Sequence, residues 1–127
     1  MVDTTANTEI PDTGRFRIER DFAEQPVVLR VFGELDITTA PMLDEQLPAV
    51  AAAAQPPAPV VVDLTGVSFL ASAGLSVLVH FGQHFAELGS QLRVIATDRA
   101  VTRPISMTGL GEVVVVFASE DEARAGA

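Results

Sequence analysis

From Leu64 to Ala86 the chain carries no formally charged residue, and no other feature constrains its fold as tightly. A stretch of this length is long enough to cross a membrane as a helix. It contains Gly66, Gly74 and Gly82, however, together with three serines, Gln83 and two histidines. A strand end, a loop and a largely buried helix account for it more simply. Just upstream, Val60-Val61-Val62 is the short continuous apolar run expected of a central strand covered on both faces. The loop is placed over Asp63–Ala71 and the helix from about Ser72 to Leu88, stopped by Gly89. The protein is read as soluble.

At about 100° per residue, that helix divides cleanly. Ser72, Ala73, Ser76, His80, Gln83, His84 and Glu87 share one arc of roughly 120°, and apolar or small residues fill the remainder. An apolar arc that wide means a helix mostly buried, with one narrow stripe left to solvent. Ser72 lies at the N-terminal end of the stripe, beyond the carboxyl end of a central strand. Free backbone N–H groups and the positive end of the helix dipole favour an anionic group there. Sites in open α/β sheets also collect at the carboxyl ends of strands. From spacing alone, Ser72 reads first as a helix cap.

The remaining elements follow the same alternation. MVDTTANTEIPDTG is polar and acidic, without the basic and apolar regions of a signal peptide, so residues 1–14 are expected to form a flexible tail. Phe16–Arg20 alternates as an edge strand with Phe16 and Ile18 inward, and Val27–Gly33 is a second strand. GELDITTAPML opens a helix that Thr39 can cap and whose first turn suits Pro41. Thr38 and Thr39 are assigned to capping alone. Pro48 predicts a kink or early end, and Ala51–Pro59 a stiff connection. Gln91–Ile95 is a strand, Asp98–Met107 a weak helix interrupted by Pro104, and Val113–Phe117 the last strand. The acidic SEDEARAGA is a tail or short helix. Strands alternating with helices favour an α/β domain with a mostly parallel sheet. The first strand belongs at an edge, and the last three strands are expected to be neighbours.

Composition narrows the chemistry. Eight basic residues, all of them Arg, stand against seventeen acidic ones for a net charge of −9. That balance repels nucleic acid and anionic membranes. With neither Lys nor Cys, a lysine phosphate loop, Schiff-base catalysis, disulfides and thiolate chemistry are excluded. A serine hydrolase would want Gly at position 70, where this chain has Leu. His80 and His84 lie two and three turns beyond Ser72 on the same helix, so no base can complete a triad. At i, i+4 they are solvated or partner-facing rather than a zinc site, and no HExxH pattern is present. Phe81 and Phe85, also at i, i+4, pack in the core. Neither a metal nor a cofactor is expected, and the domain is not expected to be an enzyme.

Three blocks, GELDITTAPML, VVVDLTGVSFLASAGLSVLV and MTGLGEVVVVF, resemble the STAS domain in order and spacing, most closely the bacterial anti-sigma factor antagonists. The resemblance covers Phe16–Phe117 and implies a central mixed, mostly parallel sheet flanked by helices. The domain is assigned to residues 15–118, with 119–127 as the acidic tail or short helix. It also implies a function: binding a partner that is both anti-sigma factor and serine kinase, thereby freeing a sigma factor. Phosphorylation at the position matching Ser72 ends the binding. The family's Asp-Ser-Ser/Thr-Gly reads Ala71-Ser72-Ala73-Gly74 here, so Ser72 holds the only hydroxyl of the tetrapeptide. In the family the GELD loop lies beside that serine. Asp36 therefore joins Ser72, Ser76, His80 and Gln83 as the expected partner-binding face, while Glu34 reads as a surface residue. The resemblance implies a cytoplasmic protein without direct nucleic-acid contact or membrane insertion, and a weak homodimer is compatible with it. A second role carried by single STAS domains is that of accessory subunit to ABC transporters of lipids. A small-ligand sensor is a third class, for which no residue pattern argues.

Overall fold

Chain direction and side-chain branching together explain the sheet. The computed structural model describes residues 16–109 and 113–126; the expected tail, 1–14, lies outside them. Five strands, β1 (Arg17–Asp21), β2 (Val27–Leu35), β3 (Val60–Leu70), β4 (Leu92–Ile95) and β5 (Val114–Phe117), lie side by side in chain order. β1 runs antiparallel to β2, and all other pairs are parallel. The expected edge position of the first strand and the adjacency of the last three strands are both found. α1 (Ala40–Asp44), α2 (Leu47–Ala53), α3 (Ser72–Glu87), α4 (Arg99–Met107) and α5 (Glu120–Ala125) fill the connections and the C-terminal end.

Alternation along each strand separates two apolar layers. Val27, Leu29 and Val31 of β2, Val60, Val62 and Leu64 of β3, and Leu92 and Val94 of β4 face one way. They bury Leu43, Leu47, Val50, Leu78, Phe81, Phe85, Val101 and Ile105 of α1–α4. Val28, Val61 and Ile95 face the other way and meet Ala123 of α5. The acidic C-terminal segment is thus a helix whose one buried residue docks it on the outer face of the sheet. Val60, Val61 and Val62 are fully buried, as a strand covered on both faces requires.

Three expectations are corrected. Asp63–Ala71 is not a loop: β3 continues to Leu70, because β2 also extends, to Leu35, and supplies its ladder partner. Two register shifts in this ladder space the inward residues Leu64, Val67 and Leu70 by three rather than two, which hides the strand from a search for alternation. The turn-like Asp63 is spent locally, its Oδ1 accepting from the Thr65 N–H at 2.9 Å and hydroxyl at 2.8 Å. Pro48 does not break a helix where it stands. The break falls earlier, between α1 and α2, and Pro48 occupies the first turn of α2, where no N–H is needed. Pro104 does not interrupt α4, which runs through it, anchored by buried Val101 and Ile105 one turn apart.

α3 is the element that carries the site, and it forms as the wheel predicts. Gly74, Leu78, Phe81, Gly82 and Phe85 are buried, while Ser72, Ser76, His80, Gln83 and Glu87 are exposed. It ends at Gly89, whose φ of +81° an L-residue rarely adopts. The Ser90 N–H donates to the Phe85 carbonyl at 2.8 Å and the Gly89 N–H to Ala86 at 3.1 Å, closing the helix in a Schellman arrangement.

Candidate functional site

The carboxyl ends of β2 and β3 finish level, Leu35 opposite Leu70, and both chains turn there. The Ala71 N–H donates to the Leu35 carbonyl at 2.8 Å, tying the start of α3 to the end of β2. α3 also passes very close to both strand ends. A Cβ at Gly74 would lie 2.9 Å from Leu70 Cδ1 and 3.0 Å from Leu35 Cβ. Glycine is therefore the residue that lets Ser72 stand beside the Asp36 turn.

Ser72 does not cap the helix. Ala71 is the N-cap residue, with extended backbone and no side-chain oxygen to offer. Ser72 is the first helical residue, exposed, and its hydroxyl has no hydrogen-bond partner among the described residues. The first N–H groups of α3 are likewise free of intrahelical partners, as at any helix start.

The neighbouring turn is the opposite case, with its polar groups engaged. One Asp36 carboxylate oxygen accepts from the Thr38 N–H and the Thr39 N–H, each at 3.0 Å. The Asp36 N–H donates to Thr39 Oγ1 at 2.9 Å, and the Thr39 hydroxyl donates to the Glu34 carbonyl at 2.7 Å. The Ala40 N–H then reaches the Asp36 carbonyl at 2.8 Å, and α1 begins. Thr39 is the N-cap residue by position, but its side chain accepts nothing from the helix. Its hydroxyl is used inside the turn, which corrects the assignment of Thr38 and Thr39 to capping alone. The N–H of Thr39, and after it that of Thr38, holds the Asp36 carboxyl below the ordinary carboxylate range. Asp36 is therefore charged at neutral pH.

The expected stripe is present on α3, though its members differ in what they touch. Ser76 and Gln83 face outward without side-chain partners among the described residues. His80 Nδ1 lies 3.0 Å from Asp44 Oδ1, so this ring helps to join α3 to α1 as well as facing solvent. Gln83 is eleven residues along from Ser72, about 16 Å on a straight helix. The face is thus elongated, with Ser72 and Asp36 at one end. His84 stands edge-on to Phe85, ring centroids 5.3 Å apart. Among the described residues no three His, Asp or Glu side chains converge as metal ligands. No described helix is long and apolar enough to cross a membrane.

Sequence reasoning passed over Ile37, Met42 and Phe69, three large apolar residues exposed in this part of the chain. An isoleucine inside an otherwise polar turn was the available signal. A cleft of about 460 Å³ lies elsewhere, between α4 and β5, lined by Ile105, Val114 and Val116 with Thr102 and Ser106. None of its described lining residues is titratable.

Comparison with known proteins agrees with this geometry. The chain is 30% identical over 100 residues to the anti-sigma-F factor antagonist RsfA of Mycobacterium tuberculosis, covering 79% of this chain and 78% of the relative. It is 32% identical over 99 residues to RsfB, a second anti-sigma-F factor antagonist of that organism, covering 78% and 79%. The crystal structure of an anti-sigma factor antagonist from Mycobacterium paratuberculosis superposes with a TM-score of 0.76 at 30% identity, over 92% of this chain and 97% of that one. The family model for the STAS domain matches residues 17–123, from the edge strand into the docked C-terminal helix, and the chain belongs to that family.

Proposed function

We propose that this protein is an anti-sigma factor antagonist. It binds an anti-sigma factor through Asp36, Ser72, Ser76, His80 and Gln83, and phosphorylation of Ser72 by that partner releases it. The observation that carries the reading is the Ser72 hydroxyl, exposed at the first position of α3 and without a partner among the described residues, beside a carboxylate held charged. The names of RsfA and RsfB support the partner class.

The domain's role is passive. Its Ser72 Oγ accepts the γ-phosphoryl group of ATP, ADP leaves, and the kinase supplies both the Mg²⁺–ATP site and the base. The histidine nearest to Ser72 along the helix, His80, is two turns away and faces Asp44. Phosphorylation adds about −1.5 to −2 charge. In the free domain that charge meets helix N–H groups and the positive dipole end, so the fold tolerates it. In the complex it must be desolvated beside the Asp36 carboxylate, which is unfavourable. The switch therefore acts on affinity and leaves the fold intact. No catalysis is assigned to the domain, and its place of action is the cytoplasm.

The test is a binding titration of wild type, Ser72→Ala and Ser72→Glu against each purified anti-sigma factor of the same genome. Ser72→Glu should bind at least about tenfold more weakly, a difference of about 1.4 kcal/mol, with an unchanged melting temperature. Ser72→Ala should bind like wild type and resist phosphorylation. Equal affinity for wild type and Ser72→Glu would remove Ser72 as a switch.

A further inference from the structure

We propose that Ile37 is the apolar anchor of this interface, entering an apolar pocket rimmed by cationic side chains on the anti-sigma factor. The inference rests on the functional reading above and deepens it by naming the residue that supplies affinity and the chemistry of the surface that receives it.

Ile37 is 79% exposed, more than any other large apolar residue among those described. Single exposed apolar residues are ordinary on protein surfaces. Ile37 differs because of its mount. It sits between Asp36 and Thr38 at the tip of the turn described above, where Glu34, Asp36, Thr38 and Thr39 are joined by four hydrogen bonds of 2.7 to 3.0 Å. The turn is further tied to α3, since the Ala71 N–H bonds Leu35 two residues before Ile37. A side chain presented by so constrained a loop loses little conformational freedom on binding, which is how preorganised contacts raise affinity. Phe69, 47% exposed, is the penultimate residue of β3 and lies opposite Glu34 at the same end of the sheet.

Charge identifies the occupant. Glu34 and Asp36 precede Ile37, and Asp44 and Glu45 follow on and beside α1. No Lys or Arg occurs between Arg30 and Arg93, and the nearest cation the fold brings to α1 is Arg20, whose Nε donates to Gln46 Oε1 at 2.8 Å, away from Glu34 and Asp36 in the chain. A partner that covers Ile37 must therefore bring positive charge to the rim of its pocket, while the pocket floor must be apolar to take the isoleucine. Glu34 and Asp36 already neutralise such a rim, so a phosphate added at Ser72 finds no unpaired cation there, in agreement with release.

The same titration tests the proposal with full-length protein carrying Ile37→Ala, Ile37→Leu or Leu88→Ala. Leu88 is a matched control: it is 46% exposed and sits at the opposite end of α3 from Ser72. Burying an isoleucine side chain corresponds to about a ten- to hundredfold gain in affinity. Ile37→Ala should therefore bind at least about tenfold more weakly. Ile37→Leu should stay within about threefold of wild type, and Leu88→Ala should match it. Melting temperatures should coincide, because neither side chain is part of the core. Wild-type affinity in Ile37→Ala, or an equal loss in Leu88→Ala, overturns the anchor while leaving the functional reading in place. If wild type binds none of the anti-sigma factors, the functional reading fails, and the anchor fails with it.

Discussion

The outer face of the sheet and the Asp36–Ser72 end handle polar groups in opposite ways. On the outer face, charges are joined across long stretches of chain. Arg30 reaches Asp21 at 3.3 Å and Glu120 at 3.0 Å, and Arg124 reaches the same Glu120 at 2.8 Å. Arg93 donates to the Ala123 carbonyl at 2.8 Å. Together they clamp a six-residue helix that buries a single alanine. At the other end the Asp36 carboxylate is satisfied by N–H groups of its own turn, and the Ser72 hydroxyl, Glu34 and Ile37 face outward. The difference separates two uses of polarity. The first region spends its charges on holding the molecule together. The second fixes its backbone with short local bonds and keeps its remaining groups free for another molecule.

The two regions should break differently. Gly74→Val should have the largest effect on stability, a loss of about 1–3 kcal/mol, because the new side chain meets Leu70 and Leu35 where α3 crosses the strand ends. Denaturant unfolding checks this, and a loss below about 0.5 kcal/mol would mean that the crossing can relax. Arg30→Ala comes next. It strips Asp21 and Glu120 of a half-buried partner and should cost about 1–2 kcal/mol. Part of that cost should vanish in 1 M salt, where the screening length falls to about 3 Å, whereas the cost of Gly74→Val should not. If both losses respond alike to salt, the contrast between a packing contact and a charge clamp is wrong.

The smallest effect concerns acid. The carboxyls of Asp36 and Glu120 sit lower in the folded protein than in the unfolded chain. For Asp36 the Thr39 and Thr38 N–H groups are responsible, and for Glu120 the Arg124 and then the Arg30 guanidinium. Each contribution is complete above the unfolded carboxylate range and is lost as pH falls through the folded value. Stability should therefore decline below about pH 4–5, and Asp36→Asn should flatten part of that decline. Raising salt should reduce the Glu120 part more than the Asp36 part, since N–H groups of the same turn are screened less than separate side chains. Acid titrations of Asp36→Asn and Glu120→Gln at low and high salt distinguish the two.

Much of this was legible because it is periodic. The valine run of β3, the wheel of α3 with its Gly89 stop, and the charged edge strand each follow from spacing that a single element imposes on its own residues. The Ser72 end was legible too, through motif order. What escaped depends on a second element. The continuation of β3 to Leu70 needed the lengthened β2 and its two register shifts. The tolerance of Pro104 needed a core to hold Val101 and Ile105. The pairing of His80 with Asp44 and the docking of α5 through Ala123 join residues whose relation no local pattern announces.

The sequence by itself determined an α/β domain, its edge strand, its buried central strand, and one helix with a narrow polar stripe headed by Ser72. These follow from hydrophobic periodicity and chain connectivity, which act over a few residues. Only the tertiary structure decided that Ser72 is free rather than a cap, because the backbone of Ala71 takes the capping position. Only there is the Asp36 turn, itself held by local bonds, tied to the start of α3 through the Leu35 carbonyl and the Ala71 N–H. Those outcomes depend on how closely two strand ends and a helix approach, and that distance is set by packing across the domain.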